Sequence, residues 1–91
     1  MKKKKILLVE DEAIIAASKE QILLKYKYDV ITALTGEEAV EVVNNRNDIN
    51  LILMDIDLGE GINGTEAANL ILKNHEIPLI FLSSHTERKI V

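Results

Sequence analysis

The 91-residue sequence has no cysteine and no tryptophan. That excludes disulfides, thiolate metal sites and cysteine nucleophiles. Aromatic residues are scarce at 3%, while apolar residues reach 47%, so the core these residues can build is aliphatic. No apolar stretch approaches the roughly 20 residues of a membrane span. The lysine run at residues 2–5 precedes only four apolar residues before Glu10, too few for a secretory signal. A soluble, cytoplasmic protein with no membrane contact is therefore expected. Acidic residues outnumber basic ones by 15 to 11, a net charge of −4, which argues against direct nucleic-acid binding by bulk charge. The length suits one small domain. There is no internal repeat, and the lysine run reads as a solvated lead-in to a strand.

What is present is a repeated alternation of short aliphatic runs and helical patterns. Ile6-Leu7-Leu8-Val9 is a first strand, ending in Glu10-Asp11-Glu12. From Ala13 to about Tyr26 the spacing of Ile15, Ser18, Ile22 and Tyr26 predicts a helix, with Ile14 and Ala17 beside that line. Asp11 or Glu12 stands at its start, where the dipole favours an anion. Val30-Ile31-Thr32-Ala33 is a second strand. Thr35-Gly36-Glu37-Glu38 fits a capping box that opens a helix to about Asn45, with Ala39, Val42 and Val43 facing the core. Polar residues 44–48 form a turn.

Leu51-Ile52-Leu53-Met54 then runs straight into Asp55. A continuous apolar run of this kind is a strand buried on both faces. After the glycine-rich loop at residues 59–64, a helix starts at Asn63-Gly64-Thr65-Glu66 and runs to about Asn74. Pro78 introduces a fourth strand, Leu79-Ile80-Phe81-Leu82, ending in Ser83-Ser84-His85. Residues 86–91 look like the start of another helix. The order βαβαβαβ predicts an α/β fold with a parallel sheet covered on both faces and right-handed crossovers.

Parallel strands deliver their carboxyl ends to one edge, where ligands of open α/β sheets bind. Strand one brings Glu10 and Asp11 there, strand three Asp55 with Asp57 two residues on, and strand four Ser83 and Ser84. Carboxylates crowded into one pocket raise one another's pKa values unless a cation intervenes. All-oxygen ligation points to Mg²⁺, with Mn²⁺ as the alternative, rather than zinc. Such a metal would orient an incoming phosphoryl group. An aspartate can accept it as an acyl phosphate, and a serine hydroxyl on the next strand can donate to its oxygens. Taken singly, an acidic residue at a strand end is usually a solvated loop residue or a helix cap, and Glu12 reads that way. His75 reads as a surface residue near a helix end, whereas His85 falls near the pocket mouth.

Leu8-Val9-Glu10-Asp11-Glu12, Leu53-Met54-Asp55 followed by Asn63-Gly64, and Pro78 through Ser83 together resemble the receiver domain of two-component response regulators, over essentially the whole chain. The resemblance implies a flavodoxin-like doubly wound sheet of order 2-1-3-4. It implies that Asp55 is the phosphoacceptor, served by a histidine kinase or a phosphotransfer protein. Asp11 would ligate Mg²⁺ directly, Glu10 through water, and Asp57 by its backbone carbonyl. Ser83 would be the switch hydroxyl, and Asp57 and His85 would modulate the lifetime of the phosphoryl group. The domain would catalyse its own phosphorylation and dephosphorylation rather than turn over a substrate, and would act on an effector.

The sequence departs from the family pattern at several points. Gly59 stands where proline is usual, the loop from Asp55 to Gly64 is one residue longer, Asn63 replaces aspartate, and Lys27 occupies a common glycine position. The family's fifth strand, the lysine preceding it and the fifth helix are missing, and Lys89 lies too near strand four to be that lysine. The expectation is one domain over residues 1–91, incomplete at its C-terminus, with strand four an exposed edge able to self-associate.

Three rival readings are weaker. Asp55-Ile56-Asp57 also resembles the nucleophile motif of haloacid-dehalogenase-type phosphatases, with Asp57 as acid/base, but Gly59 breaks that motif and Glu10-Asp11 go unexplained. The acidic pair, the acceptor and the hydroxyl argue against an unphosphorylated binding module. No glycine-rich turn follows strand one, which excludes a dinucleotide site.

Overall fold

The computed structural model describes residues 3–82. The aliphatic runs form four strands, β1 (Lys5–Val9), β2 (Asp29–Ala33), β3 (Leu51–Asp55) and β4 (Leu79–Leu82). Three helices connect them, α1 (Ala13–Lys25), α2 (Gly36–Asn45) and α3 (Gly64–Asn74). All strand pairings are parallel, in the order β2-β1-β3-β4. This is the parallel sheet expected from the βα alternation, in the doubly wound order that the receiver resemblance implied.

Strand alternation divides the core between two faces. Leu7, Val9, Ala33, Ile52 and Met54 lie on one face and pack with Ala39 and Val43 of α2 and Ala67 and Ile71 of α3. Ile6 and Leu8 point the other way and are buried too, on the side that α1 covers. β1 is thus buried on both faces, which is why it reads as an unbroken aliphatic run.

Sequence periodicity placed α1 correctly but not its inward face. Ile22 is 55% exposed, Tyr26 68% and Ile14 85%, and Ser18 and Ala17 are exposed as well. Ala16 is the buried residue, and Ile15, Lys19, Glu20 and Leu23 are half-buried. Apolar residues occur around most of this helix, so spacing alone could not select the packed side.

The helix ends follow local chemistry. Oγ1 of Thr35 accepts from the Glu38 N–H at 3.0 Å. The Glu38 carboxylate reaches back one residue further than in a standard capping box, accepting from the Leu34 N–H at 2.9 Å. At α3 the box is complete: Asn63 accepts from the Glu66 N–H at 2.8 Å and Glu66 from the Asn63 N–H at 2.9 Å. Past α1, Lys27 adopts a left-handed φ of 74°. The Tyr28 N–H returns to the Leu23 carbonyl at 3.2 Å and the Lys27 N–H to Leu24 at 3.0 Å. This is the Schellman arrangement, with lysine where glycine is cheapest. At the same amino-terminal edge of the sheet, Arg46 and Lys5 both pair with Asp48, holding its carboxyl well below the usual carboxylate range, chiefly through the Arg46 hydrogen bonds.

Candidate functional site

The β1–β3 register decides what meets at the carboxyl edge. Val9 pairs with Met54, so the next residues, Glu10 and Asp55, come side by side. Both are almost fully buried, at 1% exposure, a rare state for carboxylates. Asp11, one residue further, is half-buried. Each of the three offers an oxygen, and these oxygens lie within 4.8 Å of one another.

Each carboxylate is held by one backbone amide. The Glu12 N–H donates to Oε2 of Glu10 at 3.2 Å, the Gly59 N–H to Oδ2 of Asp11 at 3.1 Å, and the Asp57 N–H to Oδ1 of Asp55 at 3.2 Å. Glu12 itself occupies the N-cap of α1 without a side-chain cap bond. The Gly59 contact gives meaning to a departure noted in the sequence, because proline has no N–H to donate. A Cβ on Gly59 would also sit 2.9 Å from the same Asp11 oxygen. The long loop is tied down at its far end, where the Ile62 N–H donates to Glu37 of α2 at 2.9 Å.

Burial is the main cause that pushes the Asp55 carboxyl above its ordinary value. The Asp57 N–H and the Lys19 charge oppose it, and the negative charges of Glu10 and Asp11 add to it. Lys19 is the residue that sequence reading missed. Its ammonium lies 3.0 Å from Oε1 of Glu10, reaching in from α1. The signal was available only through the correct face of α1, on which Ala16, Lys19 and Leu23 align.

Of the residues singled out in the sequence, Glu10, Asp11 and Asp55 converge, and Asp57 stands beside them as an exposed residue whose N–H is used. Ser83, Ser84 and His85 lie outside the described residues. His75 caps α3 and shares a 3.0 Å hydrogen bond with Asn44, away from the acidic cluster. Oxygen-only donors at this spacing suit a hard divalent cation such as Mg²⁺. Among the described residues no helix is long and apolar enough to cross a membrane.

Comparison with known proteins points the same way. The family model described as the response regulator receiver domain matches residues 6–91. The N-terminal domain of a response regulator/sensory box/GGDEF protein from Carboxydothermus hydrogenoformans is 50% identical at a TM-score of 0.87, covering 97% of this chain and 70% of that one. The response regulator protein TrrA from Thermotoga maritima, solved in complex with Mg²⁺-BeF, is 33% identical at a TM-score of 0.83, covering 91% and 71%. The phyllosphere-induced regulator PhyR of Methylorubrum extorquens is 39% identical over 84 residues, which are 91% of this chain and 32% of the regulator. This chain thus spans about a third of that relative. These matches carry the receiver reading and lend nothing to a haloacid-dehalogenase-type phosphatase.

Proposed function

The chain belongs to the response regulator receiver domain family, and on that premise we propose that Asp55 is its phosphoacceptor, in one domain spanning residues 1–91. Receiver domains are signalling domains of two-component systems. The observation that supports Asp55 is its place: a buried carboxylate at the end of central strand β3, sharing a 4.8 Å cluster with Glu10 and Asp11.

The chemistry is a phosphoryl transfer. One carboxylate oxygen of Asp55 attacks the phosphorus of a phosphohistidine on a histidine kinase or phosphotransfer protein. The P–N bond breaks, the imidazole takes a proton, and an acyl phosphate forms. Hydrolysis later returns the carboxylate and inorganic phosphate. The Asp57 N–H orients the Asp55 carboxylate by bonding its Oδ1. Mg²⁺, or Mn²⁺ in its place, held by Asp11, Asp55 and the Asp57 backbone carbonyl with Glu10 acting through water, would supply charge neutralisation. The hydroxyl of Ser83 donates to the phosphoryl group, and Asp57 and His85 tune its lifetime. The domain promotes its own phosphorylation and dephosphorylation and does not act as a turnover enzyme. It works in the cytoplasm, binds neither nucleic acid nor membrane directly, and passes its state to an effector. The exposed edge of β4 would allow the 91-residue polypeptide to pair with a second copy.

Incubation with acetyl phosphate and Mg²⁺, followed by intact-mass measurement, tests the acceptor. One phosphoryl group is expected on the parent and none on Asp55→Asn. Stoichiometric phosphorylation of Asp55→Asn overturns the assignment.

A further inference from the structure

A positive charge already stands in the acidic cluster. Lys19 projects from the inward side of α1, its side chain 29% exposed against 2% for the Glu10 side chain it meets. Its ammonium donates to Oε1 of Glu10 at 3.0 Å, while Oε2 is taken by the Glu12 N–H at 3.2 Å. Both oxygens of Glu10 are therefore engaged by the chain itself. Among the described residues, Asp11 and Asp55 each have one oxygen engaged by an amide. With Lys19 counted, the three carboxylates carry a formal charge of −2, which one divalent cation balances.

We propose that Lys19 is a resident counter-cation of the cluster: it holds Glu10, repels an entering divalent cation, and so sets the metal affinity of the site and leaves Asp11 and Asp55 as the direct ligands. The proposal rests on the receiver reading only in requiring that the cluster takes a divalent cation.

Two effects of removing the ammonium have opposite signs. In the metal-free chain Glu10 becomes a buried carboxylate with its cation gone, which destabilises the fold. Toward the metal, a repulsive charge a few ångströms away disappears and Glu10 is released to compete for the ion. A unit charge facing a divalent ion at this range in a largely aqueous rim changes affinity on the order of five- to tenfold. Because Lys19 is partly exposed, added salt should narrow that difference. A lysine that served packing alone would lower stability and leave metal affinity equal or weaker.

The test compares the 91-residue parent with Lys19→Met and Lys19→Arg. Thermal unfolding is followed in EDTA, and binding of Mg²⁺ alone is measured by calorimetric titration. Lys19→Met should unfold at a lower temperature in EDTA yet bind Mg²⁺ about five- to tenfold more tightly, and Lys19→Arg should keep the parent's behaviour on both counts. Should Lys19→Met not unfold cooperatively, Lys19→Gln makes the same comparison. A folded charge-removed variant that binds Mg²⁺ no tighter than the parent overturns the proposal. Asp11→Ala separates the two levels. If it binds Mg²⁺ as the parent does, the cluster is not the metal site, and the Lys19 proposal falls with it. If Asp11→Ala loses binding while Lys19→Met is unchanged, only the Lys19 proposal fails.

Discussion

Asp55 is buried where a charge is costly, and this has a measurable consequence. Desolvation raises its carboxyl above the ordinary value of 3.8, with the fields of Glu10 and Asp11 adding to the rise against the Asp57 N–H and Lys19. A carboxyl whose pKa is raised in the fold stabilises the fold when protonated. That contribution is complete below pH 3.8 and is lost as pH rises through the higher folded value. Above that folded value the metal-free chain bears the cost of an ionised, buried Asp55. Asp55→Asn keeps an oxygen for the Asp57 N–H and removes the charge. In EDTA at pH 7 it should stabilise the chain by roughly 1–3 kcal/mol, the scale of an uncompensated buried polar group. The gain should shrink as the pH is lowered toward the carboxylate range. Urea unfolding at several pH values measures this, and a pH-independent gain would mean that charge is not the cause. The three acids were legible because they cluster at the carboxyl ends of apolar strands. Lys19 and the Gly59 N–H were not, since one depends on helix rotation and the other is a backbone group invisible to side-chain motifs.

The elements around the site are joined by a contact that admits only glycine. Gly64, the first residue of α3, presses against the backbone leaving β3, and its N–H donates to the Ile56 carbonyl at 3.0 Å. A Cβ there would collide with the Asp55 carbonyl oxygen and come within 2.9 Å of the Ile56 Cα. Neither neighbour is a flexible side chain that can swing aside. Gly64→Ala should therefore cost about 1–3 kcal/mol, the usual range for forced overpacking, and should weaken Mg²⁺ binding because the displacement falls on Asp55. Asn63→Ala is the control. It loses the cap on the Glu66 N–H, worth about 1 kcal/mol, without touching the cluster, so its Mg²⁺ affinity should match the parent's. Denaturant unfolding paired with metal titration separates the two, and a Gly64→Ala protein as stable as the parent would refute the contact. The Asn63-Gly64 pair marked this helix start in the sequence as well. What the sequence did not disclose is that the glycine serves the strand rather than the turn. It also misled on α1, whose apolar residues serve no single face.

At the scale of the whole molecule, the parallel sheet is what the βα alternation implied and its strand order what the receiver resemblance implied, and among the described residues its weakness lies at one side. Among the described residues β4 has β3 as its one strand neighbour. Its side chains are poorly covered on both faces: Ile80, aligned with Leu53, is 51% exposed, and Phe81, aligned with buried Met54, is 43% exposed. Contrast β1, where Leu7, Leu8 and Val9 are all at 0%. The stretch Leu79–Leu82 contains no charge, and Pro78 precedes it rather than interrupting it, so nothing within it discourages another strand from pairing. An open apolar edge of this kind is a template for association with a second copy or for segment exchange. The 91-residue polypeptide should therefore show a weight-averaged mass above 10.2 kDa by light scattering, rising with concentration. Ile80→Lys places a charge on the edge strand and should return the mass to that of a monomer while leaving Mg²⁺ affinity unchanged, because the acidic cluster lies on β1 and β3. A parent that stays monomeric at high concentration, with one sharp unfolding transition, would show that the four-strand unit is self-sufficient and that its exposed edge attracts no partner.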